Sequence, residues 1–221
     1  ARQLSSDEIF EQVSRFASEL LKSKNDDDNN NNNNDDNDFV SAGGAKYNRN
    51  NNSNKKQKSQ KTKRLSNIVF MGMGEPLANY KNVVTAIQRI NTELGIGSRK
   101  ITVSTVGVVP NIRKLYAPET DMPQIRLAVS LHCATDVERS KLLPANDRYG
   151  GLLELMTCLK EYIDVTGRRI TFEWALIENE NDDVKTARTL GTLITKDYKM
   201  RPDMVHINVI PLNPTSGYAN G

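Results

Sequence analysis

Glu75 is a carboxylate held between glycines and a proline, in the run Asn67-Ile68-Val69-Phe70-Met71-Gly72-Met73-Gly74-Glu75-Pro76. A carboxylate in such a turn accepts hydrogen bonds from a ligand ammonium, and glycine N–H groups donate to a ligand carboxylate. The two glycines let backbone approach a ligand closely, and Pro76 ends strand pairing. Further along stand Ser104, the run Ser130-Leu131-His132, and Asn213. Singly, each has an ordinary structural reading: a strand-to-helix turn, a satisfied hydroxyl, a helix-capping imidazole, a turn residue before Pro214. Position joins them. Glu75, Ser104, Ser130, His132 and Asn213 all lie at or just after the C-terminal ends of expected strands, where the βα loops of parallel sheets converge on ligands. Convergent polar groups of this kind mark a ligand site.

The elements that must position them follow from periodicity. Ser5-Ser6-Asp7-Glu8 has the spacing of a capping box, and Ile9, Val13, Phe16 and Leu20 continue it at helical intervals, so a helix is expected from about Ser6 to Lys22. Ile68–Met71 reads as a buried strand, followed by an amphipathic helix through Val83, Val84, Ile87, Ile90 and Leu94 that Gly95 and Gly97 close. Strands are expected at 101–105, 125–131, 170–177 and 205–210. Helices are expected to end near Tyr116 and to cover about 137–143, 152–165 and 184–195. Strands alternating with helices predict an α/β fold with a parallel sheet.

Between them, residues 24–66 turn into Asn/Asp runs followed by Lys, Arg, Gln and Ser. Such composition cannot bury enough apolar surface to offset its ordering entropy, so a disordered, low-complexity insert is expected there. The organisation is then a first helix (1–23), the insert (24–66) and a core (67–221). A chain of 221 residues supports one substantial domain. Its net charge of +3 is compatible with nucleic acid without indicating it. Cys133 and Cys158, the two cysteines, stand far apart, which disfavours a disulfide framework or a metal site made by this chain alone. No run is long and apolar enough to span a membrane, and no signal-peptide pattern occurs. The first helix lacks a preceding strand, and the chain begins at Ala1, so it reads as a piece of something longer.

Gly72-Met73-Gly74-Glu75-Pro76, Ser104-Thr105, Ser130-Leu131-His132 and Asn208-Val209-Ile210-Pro211-Leu212-Asn213-Pro214 together resemble the barrel core of a radical S-adenosylmethionine enzyme. More narrowly they resemble the RlmN/Cfr-type adenine methyltransferases, which methylate an adenine carbon in large-subunit rRNA. Leu143-Pro144-Ala145-Asn146 and Gly167-Arg168-Arg169-Ile170-Thr171-Phe172-Glu173 extend the likeness, which covers nearly everything outside the insert. It implies a partial (β/α) barrel, with S-adenosylmethionine and a 4Fe–4S cluster as cofactors. Gly74 and Glu75 would take the methionyl end, the carboxylate holding the ammonium, and Ser104 would bind the same ligand. Ser130, Leu131 and His132 would line its ribose and adenine side, and Asn213 matches the asparagine after the last strand.

The departures are equally definite. The Cys-x-x-x-Cys-x-x-Cys loop that holds such a cluster would precede Ala1, and the methyl-carrying cysteine would follow Gly221. The resemblance thus implies a barrel that binds the cofactor but is inactive as a fragment. In the whole enzyme, reduction of S-adenosylmethionine would give an adenosyl radical, which abstracts hydrogen from a methyl group on the missing cysteine. The partners implied are rRNA, with tRNA as a second substrate, and an electron donor. A monomer in the cytoplasm is implied, an organellar location being left open. A cluster-less RNA-binding relative of the barrel is the alternative reading, with salt-dependent phosphate contact as its mark. An iron-free barrel for another adenosyl or phosphate ligand is disfavoured, since neither a P-loop lysine nor an acidic residue at Rossmann spacing follows Gly72–Pro76.

Overall fold

A computed structural model of the chain describes residues 2–30, 65–72, 74–118 and 124–212, the backbone alone at 22–30. The bulk of the expected insert and Asn213 lie outside the described residues. The chain divides into two compact units, one of 1–12 with 66–221 and one of 13–65. Helix α1, Ser6–Asn30, contributes to both. It runs past the expected end at Lys22 into the Asn/Asp segment, because a nucleated helix propagates at small cost per residue even through weak formers. Its start is the anticipated capping box: Glu8 N–H donates to Ser5 Oγ (3.2 Å) while Ser5 N–H donates to Glu8 Oε2 (2.8 Å). In the second unit the described residues are Leu65 and the remainder of this helix, where Ser18 Oγ donates back to the Ser14 carbonyl.

The first unit is built on five parallel strands: β1 (Ile68–Phe70), β2 (Ile101–Thr105), β3 (Arg126–Ser130), β4 (Ile170–Leu176) and β5 (Val205–Pro211). Their spatial order is their sequence order. Crossovers between parallel strands are right-handed almost without exception, so stepping always in one direction puts every helix on the same face. The twisted sheet is thereby an arc of a barrel, with a helix-covered outer face and a free inner one. This bears out the expected parallel α/β fold.

The strands record that asymmetry residue by residue. Ile101, Val103, Leu127, Val129, Ile170 and Phe172 are buried on the outer face. They form the core with apolar side chains from α2 (Tyr80–Glu93), α3 (Val109–Lys114) and α6 (Gly151–Thr166). The alternate positions, Thr102, Ser104, Ala128, Ser130, Thr171, Glu173, His206 and Asn208, are small or polar and face inward. Fully buried parallel strands would read as unbroken apolar runs; these alternate because one face meets a lumen.

Two elements were not legible in the sequence. A short helix α5, Ala145–Arg148, follows α4 (Asp136–Leu142). The final helix α7, Val184–Thr192, relaxes into a wide π-type turn at Leu193–Asp197 instead of continuing as α-helix to 195. The amino end of α1 is fixed to the core by Arg89 of α2. Its guanidinium lies 4.0 Å from the Phe10 ring centroid and pairs with Asp7 (2.6 Å) and Glu93 (2.7 Å).

Candidate functional site

The loop after β1 is shaped by its glycines. Gly72 (φ 135°) and Gly74 (φ 117°) occupy backbone conformations that side chains resist, and the space beside each is open for at least 4 Å. Glu75 then caps a 3₁₀ turn, Pro76–Asn79, its Oε1 accepting from Leu77 N–H at 2.9 Å. Its Oε2 accepts from Val106 N–H at 2.7 Å, in the loop after β2. The carboxylate therefore fastens two βα loops together while keeping lone pairs for a further donor. That extra duty was invisible in sequence, since Val106 is 31 residues away.

Ser104 is buried near the end of β2 on the inner face, and Thr105 beside it turns its hydroxyl to accept from Gly107 N–H (3.1 Å) and Val108 N–H (3.4 Å). Ser130 closes β3 on the same inner face, paired in register with Glu173 of β4, which is paired with Asn208 of β5. Leu131 and His132 continue over the top of β4, both N–H groups directed at the Glu173 carbonyl (3.1 and 3.3 Å). Leu131 is fully buried.

His132 sits at φ 60°. Its Nδ1 accepts from Ala175 N–H at 2.9 Å, and its carbonyl accepts from Asn181 Nδ2 at 3.2 Å. An Nδ1 that accepts is unprotonated, so the neutral ring carries its proton on Nε2 and presents it as a donor. Burial, and secondarily the charge of Arg139, hold the imidazole pKa below its usual value and favour that neutral form. The reading of His132 as a cap for the next helix is not met, because Thr135 caps α4 (Glu138 N–H to Oγ1, 3.3 Å).

Sequence reasoning missed Arg139. Only 2% exposed, it lies behind the strand ends and donates through Nη2 to the carbonyls of Val106 (2.6 Å) and Ser130 (3.0 Å), and through Nη1 to Asn146 Oδ1. Asn146 in turn donates to Asp136 Oδ1 (2.9 Å), which also accepts from Leu152 N–H (2.6 Å) at the start of α6. One guanidinium thus links the exits of β2 and β3, and through Val106 the exit of β1. Burial pulls its pKa down to about 10. The usable signal was Arg139 and Asn146 at a spacing of seven, flanking Leu143-Pro144, but periodicity gives no reason for an arginine on a buried helix face.

Cys133, with Glu138, Lys141, Ile177, Glu180 and Asn181, borders a cavity of about 360 Å³ that is lined by none of Gly74, Glu75, Ser104, Ser130 and His132. Burial raises its thiol pKa to about 11, so it is a poor nucleophile at neutral pH. Cys158 is a fully buried small hydrophobe on α6. Both thiols are free. Among the described residues no three His, Cys, Asp or Glu side chains converge as a metal site, and no helix is long and apolar enough to cross a membrane. The donor set for an iron–sulfur cluster is therefore not among the described residues.

A radical SAM methyltransferase from Sphaerobacter thermophilus has this architecture, with a TM-score of 0.62 at 42% identity over 69% of this chain and 42% of its own. No family model matches the chain. A probable dual-specificity RNA methyltransferase RlmN from Thermobifida fusca is 50% identical over 158 residues, 70% of this chain and 40% of that protein. The like-named protein of Clostridium acetobutylicum is 46% identical over 160 residues. Dual-specificity RNA methyltransferase RlmN 1 of Myxococcus xanthus is 50% identical over 159 residues, covering 42% of its length. The parallel α/β fold is thus shared with a radical SAM methyltransferase. The chain is similar to the RlmN-type dual-specificity RNA methyltransferases and spans about 40% of the length of the Thermobifida fusca protein.

Proposed function

We propose that this chain is the cofactor-binding barrel of a radical SAM methyltransferase that transfers a methyl group to an adenine carbon of rRNA, with tRNA as a second substrate. The observation that carries the reading is the inner rim itself, where Glu75, Ser104, Ser130 and His132 stand at successive strand ends of one half-barrel. Glu75 retains acceptor capacity for the ligand ammonium after its two backbone bonds. Ser104 and Ser130 offer hydroxyls and His132 an Nε2 donor, while Leu131, fully buried, supports the rim by packing. Gly74 leaves open the space a methionyl group would fill. By its family match, Asn213 completes the set.

Held there, S-adenosylmethionine would supply the methyl group and the radical chemistry, while these residues would bind and orient it and exclude water. The cluster, an electron donor, a monomeric state and a cytoplasmic location belong to the proposal for the whole protein, and no step is assigned to a cluster on the described residues. The test is methyl transfer from labelled S-adenosylmethionine to rRNA transcripts by the anaerobically prepared intact protein, with nucleoside mass spectrometry to locate the methyl group. The wild type should give a carbon-methylated adenosine and Glu75→Gln should lose it. Failure to bind S-adenosylmethionine in titration calorimetry would overturn the reading. Salt-dependent RNA binding without methyl transfer would favour the cluster-less RNA-binding alternative.

A further inference from the structure

We propose that Glu173 is a ligand-binding carboxylate within the barrel, accepting hydrogen bonds from the ribose hydroxyls of the bound adenosyl ligand. The assignment rests on the adenosyl-binding reading above and adds a residue to it.

Glu173 lies between Phe172 and Trp174, both buried on the outer face, so strand alternation turns its side chain inward. The side chain is 6% exposed. Its Oε2 accepts from Asn208 Nδ2 at 2.7 Å, a neutral donor, and Oε1 has no hydrogen bond among the described residues. Neither oxygen is paired with a cation there. A carboxylate has about four acceptor positions, and one described donor leaves the others open to groups that enter the lumen. The lumen is the direction from which completion comes.

Register says what faces it. Ser130, Glu173 and Asn208 share one rung across β3, β4 and β5, a polar row roughly 10 Å wide at ordinary strand spacing. The Ser130 hydroxyl likewise has no hydrogen bond among the described residues, so a hydroxyl and a carboxylate stand side by side. That pair suits vicinal hydroxyls: the carboxylate accepts from one or both, as acidic residues do in nucleotide sites. Glu75 is bound to Val106 at the exit of β2, on the other side of Ser130. Two carboxylates then bracket the rim, one for an ammonium end and one for a nucleoside end.

A purely structural Glu173 that only anchors Asn208 would be replaceable by glutamine, whose Oε1 accepts the same bond. This separates the roles. Titration calorimetry on the intact protein compares S-adenosylhomocysteine with its 2′-deoxy and 3′-deoxy analogues, for wild type, Glu173→Gln and Glu173→Asp. The wild type should favour the ribo ligand about 10–100-fold over at least one analogue, the scale of a hydrogen bond to a charged acceptor. Glu173→Gln should bring that ratio down about tenfold with its melting midpoint little moved. Should Glu173→Gln not fold, Glu173→Asp, which keeps the charge but withdraws it by one methylene, should show the same loss. An unchanged ratio in the folded variants overturns the proposal while the adenosyl-binding reading stands. Discrimination that follows N6-methylation of the adenine instead overturns the ribose assignment. A wild type that binds no adenosyl ligand removes both.

Discussion

Replacing Arg139 with methionine removes the fork that joins three loops while roughly keeping side-chain length. Three acceptors lose their donor: the Val106 and Ser130 carbonyls and Asn146 Oδ1. Each buried group left unsatisfied costs about 1–3 kcal/mol, for a gross loss of about 3–9 kcal/mol. Two terms oppose this. The Arg139 Nε is itself buried without a partner, and burial lowers the guanidinium pKa to about 10 from 12.5, so removing the charge relieves about 3 kcal/mol. The net expectation is a destabilisation of about 3 kcal/mol, at the low end of what breaking a buried charged network costs. For a domain of this size that lowers the melting midpoint by roughly 6–12 °C. Urea unfolding followed by circular dichroism measures it. Arg139→Lys, a point charge without the planar fork, should fall between the two. An Arg139→Met protein within about 1 kcal/mol of wild type would refute the claim that this guanidinium holds the strand exits together.

Asp136→Ala should cost about 1 kcal/mol in the same assay, because Asp136 caps α6 from a distance through Leu152 N–H and orients Asn146. Gly107 has φ 109°, and a Cβ there would stand 3.0 Å from Leu155 Cδ1, so Gly107→Ala should destabilise by about 2 kcal/mol. His132 gives a pH dependence. With its folded pKa lowered from 6.5, the unfolded chain takes up a proton that the folded ring refuses. Its contribution is flat where both states are neutral and becomes destabilising as pH falls through the region below 6.5. The urea midpoint should drop between pH 7.5 and 5.5 in the wild type by more than in His132→Asn, asparagine being tolerant of the positive φ. Equal drops in both proteins would remove His132 as the cause.

The sequence alone determined the parallel alternation, because a strand and a helix each write their burial into local spacing. β2 was placed at its observed bounds, and β3, β4 and β5 to within a residue at either end. It also placed Glu75, Ser104, Ser130 and His132 at strand exits, since a residue's position along its own strand is local information. The spacing signal stopped where context decides. α1 passed its expected end, and α7 opened into a wide turn, because helix termini depend on small differences that packing overrides. Only the tertiary structure showed Glu75 bonded to Val106, His132 to Ala175, and Arg139 to two loop carbonyls. These contacts join residues from different strand exits, and hydrogen-bond partners chosen by the lateral order of the strands leave no periodic trace. Glu173 belongs to the same class. Its alternation in β4 was written in the sequence, but burial beside a single amide donor was decided when β5 came to lie against β4.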